Sequence, residues 1–241
     1  MLVAEKLSKS FGGVTALDQL DLRVETGEIF CLLGANGAGK TTTINLFLGF
    51  VEPSAGRAMV DGIDVFADPI STRKDLAYIA EQVALYPQLT GLENLDYFLQ
   101  LAGVQKETGF LLQTLEQAGL DASAAQRRVS GYSKGMRQKV GIAIALAKDA
   151  KALLLDEPLS GLDPAAANVL THSLQMLKQQ GKAILMATHD VFRAKAIGTR
   201  IGIMKAGRLI DVLDAATLNA SEIERIYLTH MQDTGFQDAA E

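Results

Sequence analysis

The sequence predicts an α/β fold. Short apolar runs of strand length recur along the chain, and amphipathic helical patterns lie between them. A glycine-rich segment, Gly34 to Gly39, falls between one such run and the start of a helix. Taken in order, the strand-like runs are Val3–Leu7, Leu20–Val24, Ile29–Leu33, Leu153–Asp156, Ala183–Ala187 and Ile201–Met204. Leu111, Leu115 and Ala118 share one helical face, and Gly119 is placed to end that helix. Met136, Val140, Ala143, Ile144 and Ala147 mark a second helix. Its other face carries Ile142, Ala145 and Leu146, which predicts deep burial. Asp163-Pro164 opens a third helix, with Asp as cap and Pro at the first position. From Thr90 to Ser130 helical periodicity replaces strand signal, which reads as a helical subdomain, about residues 90–150, inserted into the α/β core.

At 241 residues the chain is read as one domain, 1–241, and 48% hydrophobic residues can supply its core. The balance of 23 Lys plus Arg against 28 Asp plus Glu gives a net charge of -5, without the basic excess expected of a nucleic-acid binder. A lone cysteine, Cys31, excludes an internal disulfide and points to a reducing compartment. No run approaches the ~18 apolar residues of a membrane span, and the N-terminus has an early acid in place of a secretory apolar stretch. A role at a membrane would therefore need a partner. From Asp211 onward the acids Asp211, Asp214, Glu222, Glu224, Asp233, Asp238 and Glu241 face a single base, Arg225, which reads as a short solvated acidic end, about 211–241.

Three segments carry chemistry. Gly34-Ala35-Asn36-Gly37-Ala38-Gly39-Lys40-Thr41 fits the phosphate-loop pattern G-x-x-x-x-G-K-[ST]. Glycines let backbone N–H groups curl around phosphate oxygens, and the helix N-terminus adds positive potential. Lys40 is expected to reach the β and γ phosphates, Thr41 to set its hydroxyl on Mg²⁺, and Thr42 to make a further phosphate contact. Leu153-Leu154-Leu155-Asp156-Glu157 is an apolar strand ending in two carboxylates. Asp156 suits a largely hydrated Mg²⁺, and Glu157 suits a general base toward water. Tyr132-Ser133-Lys134-Gly135-Met136-Arg137-Gln138-Lys139 opens the second helix; read alone, it is Ser133 capping a helix.

In this order and spacing the third segment resembles the L-S-G-G-Q-[RQ]-Q-[RK] signature of ATP-binding cassette (ABC) proteins. Tyr132, Lys134 and Met136 depart from it. Ser160-Gly161-Leu162-Asp163 resembles that family's D-loop, though Asp163 also suits plain helix capping. His189, after the run Ala183–Ala187, resembles the switch histidine. Phe11, in Ser10-Phe11-Gly12-Gly13, resembles the aromatic residue that stacks on adenine. The resemblance spans Leu2 to Gly207. It implies a P-loop NTPase core, an N-terminal antiparallel β portion and the helical insertion. It also implies ATP and Mg²⁺ as ligands, and a second cassette, of the same chain, whose Ser133 and Gly135 close the site in trans. A separate transmembrane permease on the cytoplasmic face of the cell membrane would complete the assembly. The Tyr-Ser-Lys-Gly-Met form resembles cassettes that serve exporters. The other classes considered are a soluble ABC ATPase acting on nucleic acid or ribosomes, and a P-loop protein that binds ATP without turnover. The negative charge opposes the first, and Glu157 opposes the second. The family's Q-loop glutamine would precede Leu85-Tyr86-Pro87 by four residues. That count lands on Glu81, with Gln82 next to it, and leaves open which of the two faces the metal.

Overall fold

The computed structural model describes residues 1–232. Its strands are β1 (Leu2–Phe11), β2 (Val14–Val24), β3 (Ile29–Leu33), β4 (Ala55–Val60), β5 (Ile63–Asp64), β6 (Leu76–Ile79), β7 (Ala152–Asp156), β8 (Ala183–Thr188), β9 (Arg200–Lys205) and β10 (Arg208–Asp214). Its helices are α1 (Lys40–Phe47), α2 (Pro69–Asp75), α3 (Gly91–Leu101), α4 (Thr108–Gln117), α5 (Ala122–Ala125), α6 (Lys134–Ala147), α7 (Pro164–Gln179), α8 (Val191–Ile197) and α9 (Ala220–Gln232). One sheet has the order β2-β1-β4-β5 and is antiparallel throughout. The other has the order β10-β9-β3-β8-β7-β6; it is parallel except for β10, which lies antiparallel on β9.

The central strands are apolar throughout because the sheet is covered on both faces. Along β3, Ile29, Cys31 and Leu33 point into one core cluster, and Phe30 and Leu32 into the other. Strand β7 divides in the same way, Leu153 and Leu155 against Leu154. The first cluster continues through Leu95, Leu99, Leu111 and Leu115 of the helical segment to Val140 and Ala143 of α6. The second holds α1 through Ile44 and Phe47 against the antiparallel sheet.

The helices begin where the sequence provides caps. Thr90 and Glu93 form a reciprocal capping box at α3, with bonds of 3.1 and 2.7 Å. Ser133 Oγ accepts from Met136 N at 3.3 Å, and Asp163 Oδ1 accepts from Ala166 N at 2.9 Å. Gly119, with φ +85°, follows α4.

The first two strands are longer than the sequence predicts. Register shifts interrupt the β1–β2 pairing, and Lys6 and Gln19 there carry φ of 45° and 47°; the apolar alternation breaks at these bulges while the strands continue. Strands β4, β5, β6 and β10 were not anticipated: β5, β6 and β10 lie at sheet edges, and β4 begins with three exposed residues, Ala55 to Arg57, that carry no apolar run. The acidic C-terminal segment is not wholly solvated. Asp211 and Asp214 lie in β10, and Glu222 and Glu224 in α9, which buries Ile223 against the core. Asp233, Asp238 and Glu241 lie outside the described residues.

Candidate functional site

Strand β3 delivers the chain to the glycine-rich loop. Gly37 and Gly39 have φ of +81° and +104°, and a Cβ on Gly39 would stand 2.7 Å from the carbonyl oxygen of Ala16. The loop leads into the N-terminus of α1, where backbone N–H groups lack intrahelical partners. A cleft of about 470 Å³ opens there, lined by Asn36 to Thr42 together with Phe11, Ala16, Glu81, Asp156 and Glu157. Phe11 is 47% exposed, its ring covered on one side by Lys9 Nζ at 4.9 Å from the centroid. Lys40 is buried. Its ammonium donates to the carbonyls of Gly34 (2.6 Å) and Ala35 (3.0 Å), which leaves a third donor for a ligand.

Opposite the loop stands the tip of β7. Thr41 Oγ1 donates to Asp156 Oδ2 at 2.9 Å. Glu157 adopts φ +46°, pinned by its N–H to Ala187 O (3.0 Å) and its carbonyl to Ser160 N (3.1 Å). This turn aims its carboxylate at His189, with Oε1 2.8 Å from Nδ1. Burial raises the pKa of Asp156 above the usual carboxylate range. The charges of Glu157 and Glu81 add to that rise, and Thr41 and Lys40 oppose it. Burial lowers the pKa of Lys40, while Glu157 and Asp156 pull it back up. The cleft thus offers a cation and free N–H groups to an anion, and crowded carboxylates to a cation.

A hydroxyl and a carboxylate 2.9 Å apart are hard oxygen donors that suit Mg²⁺. Among the described residues no group of three His, Cys, Asp or Glu side chains forms a metal cage.

Several expected residues do not line the cleft. Gly34 is turned away, its carbonyl engaged by Lys40. Gln82 lines separate grooves with Val83, Ala84 and Leu85, whereas its neighbour Glu81 enters the cleft. Adjacent residues of a non-helical segment point to different sides, so the two positions cannot share one role. Ser133 and Asp163 cap α6 and α7 on the exposed surface. Gly135 is buried where a Cβ would meet that of Ala166 at 3.1 Å. His189 reaches the site through Glu157. The sequence reading missed Ala16 in the lining and the role of Ser160, whose hydroxyl donates to Glu81 Oε1 at 3.1 Å.

A parallel sheet with a glycine-rich loop at one strand end, and a carboxylate pair at the tip of another, defines a phosphate-loop nucleoside triphosphatase. Comparison with known proteins narrows this. The sequence profile described as ABC transporter matches residues 17–160. The chain is 34% identical over 224 residues to the uncharacterized ABC transporter ATP-binding protein YhcH of Bacillus subtilis (strain 168), covering 92% of this chain and 72% of that one. It is 36% identical over 199 residues to the ABC transporter ATP-binding protein NatA of the same organism, covering 82% and 81%. Among solved structures, the ATP-binding subunit of an ABC transporter superposes with a TM-score of 0.83 at 28% identity, covering 95% and 99%. A dimeric ATP-binding cassette in a post-hydrolysis state with ADP and Pi gives 0.79 at 26% identity, covering 89% and 99%. The chain belongs to the ABC transporter family, as an ATP-binding, ATP-hydrolysing subunit.

Proposed function

We propose that the cleft binds MgATP and that its hydrolysis drives transport through a separate membrane subunit. The observation that carries this reading is the juxtaposition of the Thr41–Asp156 pair and the Glu157–His189 pair on one phosphate loop. Phe11 stacks on adenine, and the N–H groups of Asn36, Gly37, Gly39 and Thr42 hold the phosphates with Lys40, while the Ala38 N–H closes the loop on Ala35 O at 3.1 Å. Thr41 and Asp156 hold Mg²⁺, with Glu81 the nearer of the two Q-loop residues; when bound, the ion neutralises charge on the transferring phosphoryl group. Glu157 takes a proton from the attacking water. His189, donating through Nδ1–H, keeps that carboxylate oriented beside the γ phosphate. Asp163, Ser133 and Gly135 serve the nucleotide of a second copy of the chain; all three lie outside the cleft, Ser133 and Asp163 on the surface and Gly135 buried behind the start of α6.

The described residues include no helix long and apolar enough to cross a membrane. We place the permease on a separate chain, with this one peripheral to it on the cytoplasmic face. An apolar groove of about 450 Å³ between the helical segment and the core suits that permease. It includes Phe50, Tyr78, Leu85 and Phe98. For direction we propose export, on the Tyr132-Ser133-Lys134-Gly135-Met136 form. Relatives include the doxorubicin resistance ATP-binding protein DrrA of Mycobacterium tuberculosis, 36% identical over 201 residues, which cover 83% of this chain and 60% of that one. The test is co-purification from detergent followed by a MgATP hydrolysis assay on the complex. A membrane protein in stoichiometric ratio with two copies of this chain, and turnover that it stimulates, is expected. Stoichiometric ATP binding without turnover would refute the reading.

A further inference from the structure

Glu81 is held at both ends by one face of α6. Lys134 Nζ lies 3.4 Å from its carboxylate Oε1, and Gln138 Nε2 lies 3.5 Å from its backbone carbonyl. Lys134 and Gln138 are four residues apart, so they share a helix face. Gln138 is 1% exposed, and its Oε1 has no partner among the described residues. A buried amide satisfied on one side only does not improve stability. Its one bond goes to Glu81, so its effect is on where that loop stands. Lys134 is also the residue between Ser133 and Gly135.

We infer that Lys134 and Gln138 are positioning residues for Glu81: Gln138 fixes the loop backbone, and Lys134 draws the carboxylate toward α6. A divalent ion at Thr41–Asp156 then competes with Lys134 for Glu81. Filling the cleft frees Lys134 beside the two residues offered to the second copy. The pair is half exposed, with side-chain exposures of 29% and 51%. An ion pair of that exposure shifts an equilibrium by roughly 1.5- to 5-fold, weak enough to exchange in each cycle. The inference rests on the nucleotide reading above.

The test titrates Mg²⁺ into the full chain with a fluorescent ATP analogue, below the concentration at which copies associate. Lys134→Met should lower the Mg²⁺ concentration for half-maximal tight binding by about 1.5- to 5-fold. Affinity in EDTA should not change, and Lys134→Arg should keep the wild-type value. The shift should vanish in a Glu81→Gln background, which separates the pair from a general loss of positive charge. Gln138→Leu should speed amide exchange at residues 81–83 without lowering the melting temperature. An equal Lys134→Met shift in both backgrounds, no shift at all, or unchanged exchange in Gln138→Leu would overturn the clamp. Wild-type protein whose ATP affinity ignores Mg²⁺ would overturn the nucleotide reading and the clamp together. A normal wild-type response with silent variants removes the clamp alone.

Discussion

Glu157→Gln removes a proton acceptor and almost nothing else. The amide has the shape of the carboxylate, and its Oε1 can still accept from His189 Nδ1, now 2.8 Å away. The turn that aims it depends on backbone bonds to Ala187 and Ser160, which the substitution leaves in place. Fold stability should therefore hold, and the loss should fall on the chemical step. A missing general base costs roughly 10²- to 10⁴-fold in rate, or about 2.7–5.4 kcal/mol of barrier at 1.36 kcal/mol per decade. Glu157 is also the strongest of the charges that keep Lys40 protonated, and it lines the cleft proposed for the phosphates. Removing its negative charge should tighten binding of an anionic nucleotide and let ATP hold two copies together. Phosphate release under single and multiple turnover gives the rate, calorimetry the affinity, and gel filtration with ATP the dimer. Turnover near wild type would refute the assignment of Glu157. So would a fall in rate matched by an equal fall in affinity, because that would describe a binding residue.

Lys40→Ala removes the cation on the phosphates, and calorimetry should show ATP affinity down about 10- to 150-fold, the range of one hydrogen bond to a charged group. Ser133→Arg should leave ATP binding by one copy intact and abolish turnover; mixed with Lys40→Ala chains it should recover one working site per heterodimer, read as phosphate release. Asp156→Asn should raise the melting temperature of the metal-free protein at pH 7 to 8. The raised pKa of Asp156 means its contribution to stability is complete below the unfolded carboxylate range and is lost as pH rises through the folded value. The gap between variant and wild type should therefore close on acidification toward pH 4.

The parts of the site that lie on continuous chain were legible. Strand β3, the loop, and the Asp156-Glu157 tip follow from apolar runs that end in glycine or acid, because a buried strand and a phosphate turn each constrain local composition. Helix starts at Ser133 and Asp163 were legible for the same reason. The sheet edges were not: β10 alternates exposed and half-exposed residues, Arg208 to Asp214, and its acids mimic a solvated tail. Contacts across the chain were not legible either. No local pattern tells that Glu81 meets Lys134 and Ser160, 53 and 79 positions away. The direction of Glu81 against Gln82 needed the path of the loop after β6.

On the proposed reading, with Glu81 at the Q-loop position, Glu81 and Lys134 are two of the places where the sequence departs from the ABC pattern, and each departure has its physical reason in the other. A carboxylate at 81 alone would add a third acid to a cleft that already holds Asp156 and Glu157, and like charges in a half-buried site repel. Its effect is visible in the raised pKa of Asp156. A lysine at 134 alone would place an uncompensated cation at the start of α6, where the helix dipole is already positive. Placed 3.4 Å apart, the two charges partly offset each other. The repulsion in the cleft falls while the nucleotide is away, and the ion that enters with ATP can take over the compensation of Glu81. The pair therefore makes physical sense as a unit, and neither substitution should be transferable to a related cassette without the other.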